Sequence, residues 1–143
     1  RDLHSFPTRR SSDLLAALSA MIIGSIWYMP NTFGKMWFKL ARIDTSKKVT
    51  TNQMAALYVG ALVTSLLTAY VLAHVTFLSH HFFNNSFLQD ALSTAFWVWL
   101  GFMATRLWVS DSFEGRPVKL TLLNAANAFV TIMVMGLIIG LVR

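Results

Sequence analysis

Four long apolar runs take up most of this 143-residue chain and constrain its fold more than any other feature. They cover residues 14–29, 54–78, 87–109 and 120–142. The last three are long enough to cross a bilayer, which takes about 20 apolar residues, whereas the first has only about 16. Because a helix satisfies its own backbone hydrogen bonds in hydrocarbon, these runs predict an all-α fold. We expect an integral membrane up-down four-helix bundle.

The composition favours a bilayer over a soluble environment. Charged residues make up 13% of the chain, against about 25% in a typical soluble domain. The net charge of +6 lies mainly between the apolar runs, which fits lipid headgroups as the partner better than nucleic acid. The chain has no cysteine, so disulfides, thiolate catalysis and cysteine–zinc sites are excluded.

The connection after the first run predicts a short amphipathic helix in the membrane interface. Trp27 and Tyr28 are aromatic residues of the type that collects at the lipid–water boundary, and Pro30 suits a turn. On a helical wheel, the following apolar and basic residues separate onto opposite sides. The apolar side holds Phe33, Met36, Trp37, Leu40 and Ile43, and the basic side holds Lys35, Lys39 and Arg42. The long apolar runs on both sides disfavour a surface helix of a soluble protein.

The first 14 residues differ in character from the rest of the chain. They read RDLHSFPTRRSSDL, which is similar to translated sequencing-adapter read-through. We therefore expect residues 1–14 to be a non-native leader, with residues 15–143 forming a single four-helix transmembrane domain. Because the leader is polar and unmatched to the apolar runs, residues 1 to about 13 should pack against nothing.

The distribution of lysine and arginine predicts the orientation in the membrane. Eight basic residues lie in or beside the first and third connections: Lys35, Lys39, Arg42, Lys47, Lys48, Arg106, Arg116 and Lys119. Four lie at the termini and none in the second connection: Arg1, Arg9, Arg10 and Arg143. The positive-inside rule then predicts a multi-pass membrane protein with the first and third connections inside and both termini outside.

Several short motifs, spread from about residue 15 to the end, resemble one known family. They are Gly24-x-x-Trp27-Tyr28-x-Pro30, Phe33-Gly34-Lys35-x-Trp37, Gly101-Phe102 with Thr105, Phe113-Glu114-Gly115-Arg116-Pro117, Asn124 and Gly136. Together they resemble the bacterial membrane family catalogued as domain of unknown function 1761. The resemblance implies a four-helix integral membrane protein and no assigned activity.

The polar residues of the fourth run allow two interpretations. Asn124 and Asn127 share one face with Thr131, and polar groups inside a span are expensive enough to suggest a site. They can form a groove for a ligand or ion, or they can fix helix packing by interhelical hydrogen bonds. Arg106 can extend to the headgroups or pair with Asp111 or Glu114.

Two motifs on the predicted cytoplasmic side can form one surface. Glu114-Gly115-Arg116-Pro117 suits a tight turn before the last helix. We expect Glu114 to be the only acid near a cluster of Lys35, Lys39, Arg42 and Arg116, and to pair within that cluster. Trp37 and Phe113 would then insert beneath that surface.

Small residues recur at four-residue spacing and predict close helix contacts. They are Ala61, Ser65, Ala69 and Ala73 in the second run, and Gly136 and Gly140 in the fourth. Such faces suggest a homo-oligomer as a possible assembly.

No arrangement of residues predicts catalysis. The chain lacks a nucleophile–base pair, a phosphate-binding loop and metal-ligand spacing, and its histidines at 74, 80 and 81 have no nearby acid except Asp90. The sequence therefore predicts a non-enzymatic structural or interaction bundle without cofactor or metal. The alternative is a small-molecule or ion transporter or binding bundle that uses the polar face of the fourth helix. The candidate functional residues are Trp27, Tyr28, Pro30, Lys35, Trp37, Arg106, Glu114, Gly115, Arg116, Pro117, Asn124 and Asn127.

Overall fold

The computed structural model describes residues 6–44 and 49–142, with side chains from Ser11 onward, and these ranges are helical without any strand. The elements are α1 Phe6–Trp27, α2 Gly34–Leu40, α3 Thr51–Phe83, α4 Phe87–Val98, a π-helical turn Trp99–Ala104, α5 Thr105–Phe113 and α6 Val118–Val142. The predicted all-α class is confirmed for the described residues. A short helix, α2, is present where the amphipathic segment was predicted, but it ends at Leu40, before Arg42 and Ile43.

Local capping explains where α3 and α4 begin and end. Thr50 and Gln53 form a reciprocal capping box at the start of α3. Asn84 ends α3 with a left-handed φ of 59°, a conformation that asparagine tolerates. Ser86 then caps α4 through the Gln89 amide. The connection between α3 and α4 is only three residues long, because α3 continues beyond the apolar run to Phe83.

The third apolar run forms a continuous helical rod that contains a wider turn. Residues 99–104 adopt the π form between α4 and α5, and the Trp99 indole donates a hydrogen bond of 2.9 Å to the Ala125 carbonyl. Turns of this type occur frequently at functional sites. The sequence pattern predicted the rod but not the π turn.

The long helices pack pairwise in a closed ring. α1 contacts α3 and α6, and α4 contacts the same two helices. The shared core combines small residues with a few large ones: Ala16, Ala20, Ala69, Leu72, Ala73, Ala95, Ile132, Met135 and Ile139. The small side chains let the helix backbones approach closely.

The small-residue faces are largely used inside the chain. Ala69 and Ala73 are fully buried. A Cβ at Gly136 would lie 2.9 Å from the Ala95 Cβ, and one at Gly140 would lie 2.9 Å from the Leu88 Cα. These four residues are therefore not available to a second copy, and self-association through Ala61 and Ser65 stays a prediction.

The leader expectation meets one clear exception. Ser12 is 0% exposed, so the expectation that residues up to about 13 pack against nothing is wrong at this position. Residues 1–5 lie outside the described residues, and the proposed leader boundary at residue 14 stays a prediction.

Candidate functional site

A tight turn after α1 places α2 against the chain. The Thr32 hydroxyl donates to the Trp27 and Met29 carbonyls at 2.9 and 3.0 Å, and the Gly34 amide donates to the Met29 carbonyl at 3.0 Å. Pro30 lies within this turn. Gly34 is buried against backbone, because a Cβ there would overlap the Tyr28 carbonyl oxygen and lie 2.7 Å from that of Met29. Only glycine allows this approach of α2 to the turn.

A shared acceptor on α6 holds this turn and α2 in place. Asn124 Oδ1 accepts from the Trp37 indole at 3.0 Å and from the Tyr28 hydroxyl at 3.4 Å. The two rings meet edge to face, 5.0 Å apart. Burial raises the pKa of Tyr28, so its hydroxyl remains a donor at neutral pH. We call Tyr28, Trp37 and Asn124 the Asn124 clasp.

The substitution Asn124→Leu should loosen α2. It leaves two partly buried donors without their acceptor, which costs about 1–3 kcal/mol for an unsatisfied group. Hydrogen exchange should accelerate at the α2 amides. Asn127→Leu is the matched control, since it makes the same change one helical turn away and breaks no hydrogen bond in the described structure. Equal acceleration in both variants would contradict the clasp.

A second acid, Asp111, organises the turn before α6 together with Glu114. Asp111 is buried, accepts from the Thr121 hydroxyl at 2.8 Å and lies 3.7 Å from Arg116 Nε. Glu114 contacts Arg116 Nη2 at 2.6 Å. Gly115 has the expected left-handed φ, +64°. Of the four cations expected around Glu114, Arg116 pairs with it, whereas Lys35, Lys39 and Arg42 form no ion pair among the described residues.

The two predicted cytoplasmic motifs do lie side by side. A pocket of about 330 Å³ is lined by Trp37 and Arg42 from one connection and by Glu114 to Pro117 from the other. Phe113 is 91% exposed, so its expected insertion beneath the surface is wrong. Trp37 is half-buried, as the clasp requires.

Two basic candidates remain outside these contacts. Lys35 and Arg106 are exposed, and neither forms an ion pair among the described residues. Of the two alternatives for Arg106, pairing with Asp111 or Glu114 is not found among the described residues, where both acids contact Arg116, and extension to the headgroups stays a prediction.

A groove of about 170 Å³ lies between α3 and α6, with a mostly apolar wall that also carries hydrogen-bonding side chains. Its hydrogen-bonding residues are Thr64, Ser65 and Thr68 from α3, and Asn127 and Thr131 from α6. Met103 of the π turn lines it as well. The Thr64 and Thr68 hydroxyls donate to carbonyls of their own helix, which leaves their oxygens as acceptors.

Asn127 Nδ2 is the unusual atom of this groove. It is buried and has no hydrogen-bond partner. Asn124 and Asn127 thus separate in role: the first binds aromatic donors, and the second faces the groove. Trp27 Nε1 is also buried without a hydrogen-bond partner, but Trp27 is not among the groove-lining residues.

A further polar cluster lies at the other end of the bundle, where α3 is followed by α4. Asp90 is 2% exposed and accepts from Asn85 Nδ2 at 3.2 Å, while His80 Nδ1 lies 3.0 Å from its other oxygen. In the sequence, the signal for this contact was an acidic residue in the first turn of an apolar helix, ten residues after a histidine. Within the described part of the chain, no group of three potential metal ligands occurs.

Comparisons with known proteins identify one family. A family model described as "Protein of unknown function (DUF1761)" matches residues 11–140. The searches of curated proteins and of solved structures found no match. Since the matched region covers nearly the whole chain and includes both motifs that line the shared pocket, the protein belongs to the family of domain of unknown function 1761.

Proposed function

We propose that this chain is a four-span membrane protein that binds a small uncharged polar molecule in the α3–α6 groove without catalysing a reaction. Two described helices, α3 and α6, are long and apolar enough to cross a membrane, with mean hydropathy of 1.9 and 2.3 over their most apolar windows. Only 11% and 22% of those windows is buried inside the protein. A core helix of a soluble protein would bury most of its apolar surface, so lipid is the better environment.

The other two spans would be α1 and the rod formed by α4, the π turn and α5. Their ring-like packing with α3 and α6 fits an up-down four-helix membrane bundle. The charge distribution supports a bacterial inner-membrane location with both termini outside. The Asn124 clasp and the Asp111 turn would then lie on the cytoplasmic side.

The observation that carries the binding proposal is the unpartnered Asn127 amide in the groove. A buried donor without an acceptor costs about 1–3 kcal/mol, which a ligand with a carbonyl or hydroxyl oxygen can recover. The threonine oxygens on the opposite wall can accept from the same ligand. The volume of about 170 Å³ restricts the occupant to a small solute.

The lining of the groove also selects against ions. No lysine, arginine, aspartate, glutamate or histidine lines it. An ion would lose its hydration in a low-dielectric site without a compensating charge, which is strongly unfavourable. We therefore favour a neutral solute over an ion as the ligand of the groove.

The alternative of a structural or interaction bundle has less support. It relied on small-residue faces for association, and most of those residues are occupied by contacts within the chain. The position of an unpartnered donor on the wall of a groove favours binding over a structural role.

Titration with small solutes tests the binding proposal. We expect acetamide, urea or glycerol to shift the Asn127 side-chain amide signals in NMR spectra of the protein in bicelles. Asn127→Leu identifies those signals by their loss, and the amide signals of Asn124 are the internal control. Acetate and ammonium should have no such effect. No shift with any neutral solute, or equal shifts with the ions, would refute the proposal.

A further inference from the structure

The cationic side of α2 lacks counter-charges in the described protein. Lys35, Lys39 and Arg42 form no ion pair among the described residues, whereas Glu114 and Asp111 both engage Arg116. Two of these cations lie on α2 and Arg42 lies two residues beyond its end, so together they create a local positive field. An anion from outside the chain can compensate it.

Arg42 brings this charge to the pocket between the two connections. It lines the pocket of about 330 Å³ together with Glu114 and Arg116. Arg116 already faces two carboxylates, Asp111 and Glu114, so Arg42 is the pocket cation that has no ion pair among the described residues and can meet a bound anion.

The rest of the pocket wall is apolar. Trp37, Leu40 and Ile43 from the α2 side and Leu120 from α6 contribute this surface. A free phosphate would use only the charged part. A phospholipid can use both parts, because its phosphate meets the guanidinium while its glycerol and acyl chain cover the apolar wall.

Exposed apolar residues around α2 support a position of the pocket at the depth of the lipid headgroups. Phe33, Met36 and Phe38 are exposed around α2, as expected for a helix lying in the headgroup region. We propose that the pocket binds the phosphate of one anionic phospholipid through Arg42. This inference rests on the membrane location proposed above but not on the α3–α6 groove.

Lipid retention measures this site directly. The full chain is placed in nanodiscs of phosphatidylcholine and phosphatidylglycerol, and native mass spectrometry counts the lipids retained on release. We expect one phosphatidylglycerol to be retained in preference to phosphatidylcholine. Arg42→Asn should reduce that retention about tenfold, the size expected for one charge-assisted hydrogen bond. Asparagine suits the left-handed φ of 52° at this position.

Control variants distinguish lipid binding at this pocket from general attraction between a basic protein and anionic lipids. Lys119→Asn removes an exposed cation of α6 that does not line the pocket, and it should leave retention unchanged. Arg42→Gly provides a second variant compatible with the backbone, with circular dichroism confirming the helices of each variant.

Four results would overturn the inference. They are unchanged retention in both Arg42 variants, an equal loss in Lys119→Asn, displacement of the lipid by soluble glycerol 3-phosphate, and no preference for the anionic lipid. The third would indicate a free-phosphate site. A chain that does not insert into the nanodiscs would refute the membrane location as well, whereas insertion without lipid preference refutes this inference alone.

Discussion

Gly34→Ala should detach α2 from the turn that follows α1. The added Cβ would overlap the Tyr28 carbonyl oxygen and approach that of Met29 to 2.7 Å. Both are backbone atoms, so no side-chain rotation relieves the overlap. Overpacking typically costs about 1–3 kcal/mol and occasionally more, and we expect the upper end here. The Trp37–Asn124 hydrogen bond should be lost with the displacement. Thermal unfolding in detergent and hydrogen exchange at α2 measure both effects.

Gly60→Ala is the matched control for this experiment. A Cβ at Gly60, within α3, would meet no atom within 4 Å. Alanine in a helix interior is favoured over glycine by about 1 kcal/mol, so this variant should be as stable as the parent or slightly more stable. A Gly34 variant that behaves like the Gly60 variant would show that α2 does not pack as described.

Asp111→Ala should open the turn before α6 far more than Glu114→Gln does. Asp111 is buried and holds both the Thr121 hydroxyl and the Arg116 side chain. Its removal leaves a buried hydroxyl without its acceptor, at a cost of about 1–3 kcal/mol. The Glu114–Arg116 contact is about half exposed, and such pairs contribute about 0–1 kcal/mol.

Hydrogen exchange at the Arg116 amide reports this difference. That amide donates to the Asp111 backbone carbonyl at 2.9 Å, so it is protected only while the turn is closed. We expect fast exchange in Asp111→Ala and nearly unchanged exchange in Glu114→Gln. The reverse order would mean that Glu114, rather than Asp111, organises the turn.

Hydropathy predicted the helices well because burial in an apolar environment is read directly from composition. The four runs correspond to α1, α3, the α4–α5 rod and α6, and the tight turn at Gly115 was expected from local chemistry. The π turn at residues 99–104 was missed, because its cause lies in contacts such as the Trp99 bond to α6 rather than in the local sequence.

The site was less predictable because its partners are distant in sequence. Asn124 and Trp37 are 87 residues apart, and nothing in either local pattern selects this pair over a ligand-facing asparagine. The distribution of charges along the sequence pointed to Glu114 as the acid that would pair with nearby cations. Asp111 is the organising one because the geometry of α5 and α6 turns it inward toward Thr121, and that geometry requires the folded structure.

Single-cysteine labelling tests the four-span topology most directly, because the chain contains no cysteine of its own. Cysteines replace Asn84 in the second connection, Asp44 in the first and Ser112 at the third, and intact cells receive a membrane-impermeant maleimide. The account predicts labelling of Asn84→Cys from outside, and of the other two only after permeabilisation. External labelling of Asp44→Cys or Ser112→Cys, or protection of Asn84→Cys in intact cells, would contradict it.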